Sequence, residues 1–67
     1  MEFELKSEYI ELMKLLKFMN LVQSGGEAKL VIDEGLVFVN NELESRKRYK
    51  CRKGDVIQFE DHLIKVI

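Results

Sequence analysis

Six of the eleven basic residues in this 67-residue sequence lie within eight consecutive positions, 46–53, with no acidic residue among them. They are Arg46, Lys47, Arg48, Lys50, Arg52 and Lys53. Subtracting these six leaves five basic residues against twelve acidic ones, so the rest of the chain carries a net charge of −7. Clustered Lys and Arg side chains attract polyanions, because each phosphate they neutralise releases condensed counterions. We call residues 46–53 the basic run and interpret it as a candidate binding surface.

The residue types within the basic run favour a phosphate-rich ligand that also carries aromatic groups. Arginine presents a planar fork of donors that matches phosphate oxygens, and Tyr49 could stack on a base. Three alternatives remain open. The run could be a solvated loop, a localisation signal or a membrane-surface patch. The last of these needs an amphipathic helix or a lipid anchor beside it, and the sequence shows neither.

A second candidate site lies at the predicted start of a helix, at Ser24, Gly25 and Gly26. Ser24 followed three residues later by Glu27 is a capping box, which marks a helix N-terminus. The two glycines leave the first backbone N–H groups accessible, and such groups bind phosphate. The alternative is a capping box with no ligand. The spacing of a nucleotide-binding P-loop is absent.

The sequence offers no set of residues for catalysis or for binding a metal. His62 is the only histidine and lies in a predicted hairpin turn, so it is unsuited to pair with Cys51 as a nucleophile and base. Cys51 itself is a candidate reactive thiol, because neighbouring positive charges lower a thiol pKa. One cysteine and one histidine cannot complete a four-coordinate zinc site. We therefore expect a non-enzymatic protein without a cofactor or metal.

The order of predicted elements is a short strand, two helices and a small antiparallel sheet, which defines an α+β fold. Residues 2–6, EFELK, alternate in polarity as an edge strand does, and Ser7 is suited to cap a first helix over residues 8–18. A second helix starts at Ser24 and ends at Gly35, where glycine favours a left-handed conformation. Apolar residues then recur with period two, and the sequences Asn40-Asn41 and Gly54-Asp55 are typical of turns.

The length and composition indicate one domain spanning residues 1–67. A chain this short buries only about 60% of the surface that it exposes when unfolded, which leaves no room for a deep catalytic cavity. The longest uncharged apolar run has four residues, far fewer than the roughly 20 needed to span a membrane. The single cysteine and the absence of a recognisable secretory leader favour a cytoplasmic location.

The stretch from Ser24 to Phe59 resembles a known RNA-binding family. This family is the domain named after the fourth protein of the small ribosomal subunit, also called the alpha-L motif. The resemblance covers roughly residues 9–60 and is strongest to short standalone bacterial members of the YbcJ-like type. The positions that match its pattern are Ser24, Glu27, Ala28, Lys29, Ile32, Gly35, Val37, Val39, Asn40, Gly54 and Asp55. Members similar to this chain also carry a basic stretch that corresponds to Arg46, Lys47, Arg48 and Lys50.

The resemblance implies that the chain binds structured RNA, ribosomal or other non-coding, through the two-helix unit and the basic run. We expect the protein to be a monomer. Two departures from the family pattern shift this expectation. Gly25 stands where the family often has Arg, and residues 9–11 replace an Arg-Leu-Asp type motif. The resemblance therefore implies contacts from Lys29, from the basic run with Tyr49, and from the backbone of residues 24–26.

Two further expectations follow from this assignment. We expect Lys29 and the basic run to form one continuous positive surface, with an acidic first helix facing away from it. We also expect charge reversal at Lys47 and Arg48 to weaken RNA binding without unfolding the domain. The alternative function is a protein-interaction module whose basic run docks an acidic ribosome- or translation-associated protein, since electrostatic complementarity would steer either partner.

Overall fold

A computed structural model describes all 67 residues, and its elements follow the predicted order. The chain forms the short strands β1 (Glu2–Phe3) and β2 (Ile10–Glu11), then the helices α1 (Leu12–Phe18) and α2 (Gly25–Asp33). Five strands follow: β3 (Val37–Val39), β4 (Glu42–Leu43), β5 (Lys50–Cys51), β6 (Val56–Phe59) and β7 (His62–Val66). No helix in the structure is both long enough and apolar enough to cross a membrane.

Five of the strands form one sheet, in the order β1-β7-β6-β3-β4, and β2 pairs with β5 in a separate two-stranded ladder. Strands β3, β4, β6 and β7 are antiparallel, as predicted, while β1 joins the edge parallel to β7. Alternate residues of β3, β6 and β7 point toward the helices and are buried, which is the period-two pattern of a half-buried sheet. The predicted α+β fold is therefore confirmed.

The core lies between this sheet and the two helices. Leu12, Leu15 and Leu16 of α1 are fully buried, as are Ala28 and Ile32 of α2. On the sheet side the core is completed by Val37, Val39, Ile57, Phe59, Ile64 and Val66. Fully burying one such aliphatic side chain contributes about 1.5–3 kcal/mol. The helices are therefore held by packing, since helices of seven and nine residues are too short to be stable alone.

The first helix begins four residues later than the sequence predicted, at Leu12 instead of Glu8. Ser7 does not cap it, because the Ser7 hydroxyl donates a hydrogen bond to the carbonyl of Tyr9. Ile10 and Glu11 are instead extended and pair with Cys51 and Lys50 of β5. The tertiary pairing with β5 therefore overrides the helical pattern of residues 8–11, which is a local signal.

The turn predictions are confirmed, with one exception. Asn40 and Asn41 both have positive φ, 52° and 69°, as the tight turn between β3 and β4 requires. Gly35 follows the end of α2 and has a φ of 77°. A residue with a side chain would be strained in this left-handed conformation. The exception is His62, which is exposed as the first residue of β7, because the turn between β6 and β7 is formed by residues 60 and 61.

Candidate nucleic-acid interface

The backbone of the basic run is held in place against the start of α1. The N–H groups of Leu12 and Met13 donate hydrogen bonds to the carbonyls of Tyr49 (2.9 Å) and Lys47 (3.1 Å). The first N–H groups of a helix have no partner within the helix, so the run supplies the acceptors that α1 needs. Together with the β2–β5 pairing, these bonds give the basic run a defined conformation.

An open groove of about 570 Å³ lies along the basic run. Four basic side chains line this groove, together with one tyrosine and one aspartate. They are Arg46, Arg48, Lys50, Arg52, Tyr49 and Asp55. We call this feature the cationic groove. Four cations against a single carboxylate make it a favourable site for a phosphate backbone, and Tyr49 adds an aromatic surface within the groove.

Glu44 fixes the position of Arg46 at one end of the cationic groove. The Glu44 carboxylate is buried and accepts two hydrogen bonds from the guanidinium, at 2.9 and 3.1 Å, and a third from the Arg46 backbone N–H at 3.0 Å. The hydrogen bonds from Arg46 hold the pKa of the Glu44 carboxyl below its usual value, although burial opposes this shift. The guanidinium carbon also lies 5.2 Å from the centre of the Tyr49 ring, a cation–π distance.

Asp55 organises the other side of the cationic groove through three hydrogen bonds. Its carboxylate accepts from the Tyr49 hydroxyl (3.1 Å), the Arg52 backbone N–H (2.9 Å) and the Asn40 side-chain amide (3.0 Å). Asn40 in turn accepts a bond from the backbone N–H of Val56 at 2.9 Å. Burial and the Asp55 carboxylate raise the pKa of the Tyr49 phenol, so Tyr49 stays neutral and donates to Asp55.

Tyr9 is a site residue that the sequence analysis missed. Lys50 Nζ lies 5.0 Å from the centre of its ring, and the guanidinium carbon of Arg52 lies 5.8 Å from it. The ring is partly exposed, at 38%. Tyr9 occupies the position where the resembling family often has a basic residue. The sequence does show an aromatic residue at that position. It does not show the contact of Tyr9 with the basic run, because that contact depends on the β2–β5 pairing.

The start of α2 matches the predicted capping box. The Ser24 hydroxyl accepts a hydrogen bond from the Glu27 backbone N–H (3.1 Å), and the Glu27 carboxylate accepts one from the Gln23 N–H (2.6 Å). The backbone N–H groups of Gly25 and Gly26 have no acceptor within the protein. Two donors therefore remain for an anion at this helix start, next to a carboxylate that would oppose its binding.

The α2 start and the basic run lie on either side of Met13. The Met13 methyl group is 3.5 Å from where a Cβ atom on Gly25 would be, and the Met13 backbone binds Lys47 as described above. Lys29 is exposed on α2, and its spacing of four residues from Gly25 places both on one helix face. Within the run, Lys47 is half-buried and Lys53 exposed, and neither lines the cationic groove.

The expectation of an acidic first helix that faces away from the basic run is wrong. As observed, α1 contains no acidic residue, and its N-terminus contacts the run directly. The acidic residues that the sequence assigned to the helix, Glu8 and Glu11, precede it. The partly buried carboxylate of Glu11 lies 3.6 Å from the exposed ammonium group of Lys14.

Cys51 is not the reactive thiol that the neighbouring positive charges suggested. Its side chain is fully buried beneath the basic run, and burial raises the pKa of the thiol to about 12, with smaller contributions from Asp55 and Glu44. The alternation of β5 explains this, because Lys50 and Arg52 point outward while Cys51 points into the core. No group of three or more His, Cys, Asp or Glu side chains is arranged to hold a metal.

We expect Cys51 in the folded protein to resist thiol reagents even at pH 9, where most exposed cysteines are deprotonated. The rate of modification by a chromogenic disulfide reagent, measured against denaturant concentration, would check this. The reaction should proceed only as the protein opens and should reach the rate of free cysteine once it is unfolded. Rapid stoichiometric reaction in buffer alone would contradict the buried position.

The fold and the site together define a small α+β domain in which two helices pack on a sheet and a structured basic segment borders them. The sequence matches the S4 domain family over residues 3–67. The chain belongs to the S4 domain family. The resemblance stated from the sequence is thereby confirmed.

The chain is also similar to individual proteins. The solution structure of YbcJ from Escherichia coli, described as containing an alfaL motif involved in RNA-binding, is 39% identical, with a TM-score of 0.75 over 98% of this chain and 85% of that one. The E. coli K12 sequence, named "Putative RNA-binding protein YbcJ", is 39% identical over 92% of this chain and 89% of the relative. The "Probable ribosome maturation protein RlbA" of Bacillus subtilis is 41% identical over 81% of this chain and 76% of the relative.

Proposed function

We propose that this protein binds structured RNA, through the cationic groove, the remaining residues of the basic run and the start of α2. The observation that carries the proposal is the cationic groove itself, in which four basic side chains lie on a hydrogen-bonded backbone. A preordered surface loses less conformational entropy on binding than a flexible loop of the same charge. The name of the YbcJ relative and the description of its structure favour RNA over other polyanions.

The proposed contacts divide into two kinds. Arg48, Lys50 and Arg52 bind phosphates along the groove, and Lys47, Lys53 and Lys29 extend the positive surface on either side of it. The Gly25 and Gly26 N–H groups hold a further phosphate at the α2 start. Phosphate contacts set affinity and register, whereas selectivity among RNAs comes from the aromatic rings of Tyr49 and Tyr9.

The proposed role is binding without catalysis, and the target is a folded RNA. The name of the RlbA relative points to ribosome maturation, so ribosomal RNA or a ribosome-associated particle is the proposed context. Such a role would place the protein in the cytoplasm, acting as a monomer with one RNA-binding face.

The test is binding of a labelled RNA hairpin, a matched single-stranded RNA and a DNA duplex across a salt series. If about six phosphates are neutralised, the logarithm of affinity should fall with the logarithm of salt concentration with a slope of roughly −4 to −5. We expect the hairpin RNA to bind most tightly. Absence of binding to every nucleic acid at low salt would overturn the proposal. Association with a cell-extract partner that survives nuclease treatment would then identify the basic run as a protein-docking surface.

A further inference from the structure

A pocket lined mainly by apolar side chains adjoins the cationic groove at Tyr9. It has a volume of about 440 Å³ and is lined by the apolar side chains of Phe3, Leu5, Tyr9, Ile10 and Phe18. This volume lies within the range of about 300–1,000 Å³ that is typical of small-ligand pockets. Phe18 is 67% exposed, more than any other large hydrophobic residue of the domain. We call this feature the aromatic pocket.

Within the aromatic pocket, the rings of Phe3 and Phe18 are held in a fixed arrangement. The rings of Phe3 and Phe18 lie edge to face, with their centres 5.1 Å apart and their planes at 81°. Phe3 belongs to β1 and Phe18 is the last residue of α1, so both rings are attached to regular elements. The exposed ring of Phe18 therefore offers a rigid flat surface.

Tyr9 connects the aromatic pocket to the cationic groove, and this continuity identifies the occupant. Its ring lines the aromatic pocket, while the same ring lies beneath Lys50 and Arg52, which line the cationic groove. A ligand that spans both must present phosphates to the groove and a flat aromatic group to the pocket. A nucleotide joins these two groups in one molecule, so the shape and charge favour an RNA segment over an apolar peptide.

The pocket also carries polar groups near its rim. Glu4, Lys6 and Ser7 line it, and the Ser7 hydroxyl, which donates to the Tyr9 carbonyl, keeps lone pairs with which to accept a hydrogen bond. A base whose edge is free of Watson–Crick pairing could use both the donors and the acceptors of these side chains. A base paired within a helix could not, because its edge and faces are already occupied.

We propose that the aromatic pocket binds a single unpaired nucleobase, displaced from a bulge or loop, while the flanking phosphates lie in the cationic groove. This inference rests on the proposed RNA binding and adds a preference for RNAs with an unpaired nucleotide. The base stacks on Phe18 and Tyr9, and the adjacent backbone contacts Lys50 and Arg52.

The experiment compares three RNA hairpins that differ at one position: a stem with a single bulged adenosine, the same stem with an abasic bulge, and the fully paired stem. Stacking of one base on an aromatic side chain corresponds to a roughly 5- to 150-fold change in affinity. The full-length protein should therefore bind the bulged adenosine at least about fivefold more tightly than the abasic bulge. The abasic RNA controls for the flexibility that a bulge adds to the backbone.

Phe18→Ala should abolish this preference while leaving affinity for the paired stem and its salt dependence unchanged. The matched control is Phe38→Ala, which removes an exposed phenylalanine from the outer face of the sheet, away from both features. Phe38→Ala should keep the preference for the bulged adenosine. In addition, ring protons of Phe3 and Phe18 should shift in the NMR spectrum with the bulged adenosine and not with the abasic RNA.

The outcomes separate this inference from the proposed function. Equal affinity for the adenosine and abasic bulges, or a preserved preference in Phe18→Ala, would overturn the aromatic pocket as a base site while RNA binding stands. Binding of a neutral apolar peptide to the pocket without base discrimination would overturn it in the same way. Failure to bind any of the three RNAs at low salt would overturn the proposed function, and this inference with it.

Discussion

Replacing Arg48 and Arg52 together with glutamate is expected to weaken RNA binding roughly 10- to 100-fold at about 0.1 M salt. Both side chains line the cationic groove, and neither guanidinium forms an ion pair or hydrogen bond that the fold depends on. If each arginine neutralises one phosphate, the salt dependence should also flatten, by about one slope unit for each contact removed. Titration of the RNA hairpin at several salt concentrations measures both quantities.

The matched control reverses two basic residues outside the basic run, Lys17 and Lys65. The control changes the net charge by the same amount, so it reports the effect of overall charge alone. Lys17 is exposed in the last turn of α1, and Lys65 is exposed on β7. Equal losses of affinity in the two double variants would mean that binding follows net charge and does not depend on the groove.

The structure favours this pair over the pair chosen from the sequence, Lys47 and Arg48. Lys47 is half-buried, lies outside the groove, and its backbone accepts the hydrogen bond from Met13. A change at Lys47 therefore risks disturbing the contact with α1. The side chain of Arg52 is exposed and lies over Tyr9. Its replacement should therefore change the charge of the groove with less effect on the fold than a replacement of Lys47.

Asp55→Ala is expected to lower both stability and RNA affinity, although it removes a negative charge from the groove that we propose binds phosphate. Its carboxylate accepts hydrogen bonds from Tyr49, Arg52 and Asn40. Hydrogen bonds to charged groups contribute about 1.5–3 kcal/mol each when buried. Since these are partly exposed, we expect a total loss of about 2–3 kcal/mol in the free energy of unfolding. Chemical denaturation measures this loss.

The sign of the change in RNA affinity distinguishes two roles of Asp55. If its charge merely repels RNA, the alanine variant should bind more tightly; if it positions Tyr49 and Arg52, the variant should bind more weakly. Asp61→Ala is the control, because Asp61 lies in the exposed turn before β7 and makes no side-chain hydrogen bond or ion pair. Binding is compared at a temperature where every variant is folded. Tighter binding by Asp55→Ala at unchanged stability would contradict the positioning role.

The features that could be predicted from the sequence are those set by neighbouring residues. The capping box of Ser24 and Glu27, the left-handed Gly35 and the Asn40-Asn41 turn each depend on backbone preferences within a few positions. Each was found where it was predicted. The period-two pattern likewise located the strands of the main sheet, because burial of one face requires it.

The features that were missed depend on residues far apart in the chain. The true start of α1 is set by pairing of Ile10 with Cys51, and the role of Tyr9 by the same ladder. The pKa of the Cys51 thiol is raised, opposite to the shift that its charged neighbours suggested, because burial and the nearby carboxylates of Asp55 and Glu44 all disfavour the thiolate. The hydrogen bonds of Glu44 and Asp55 were missed for a different reason, since the residue types alone do not show that these two carboxylates bind groups within the basic run.

The anchoring of the basic run to α1 constrains how this segment can vary during evolution. Surface loops usually tolerate insertions and deletions, because few backbone groups in them are fixed. Here the carbonyls of Lys47 and Tyr49 and the strand residues Lys50 and Cys51 are all tied to residues 10–13. Adding or removing one residue after Tyr49 would turn a charged side chain into the core and Cys51 toward solvent. In homologous chains we therefore expect the charges of this segment to vary more freely than its length.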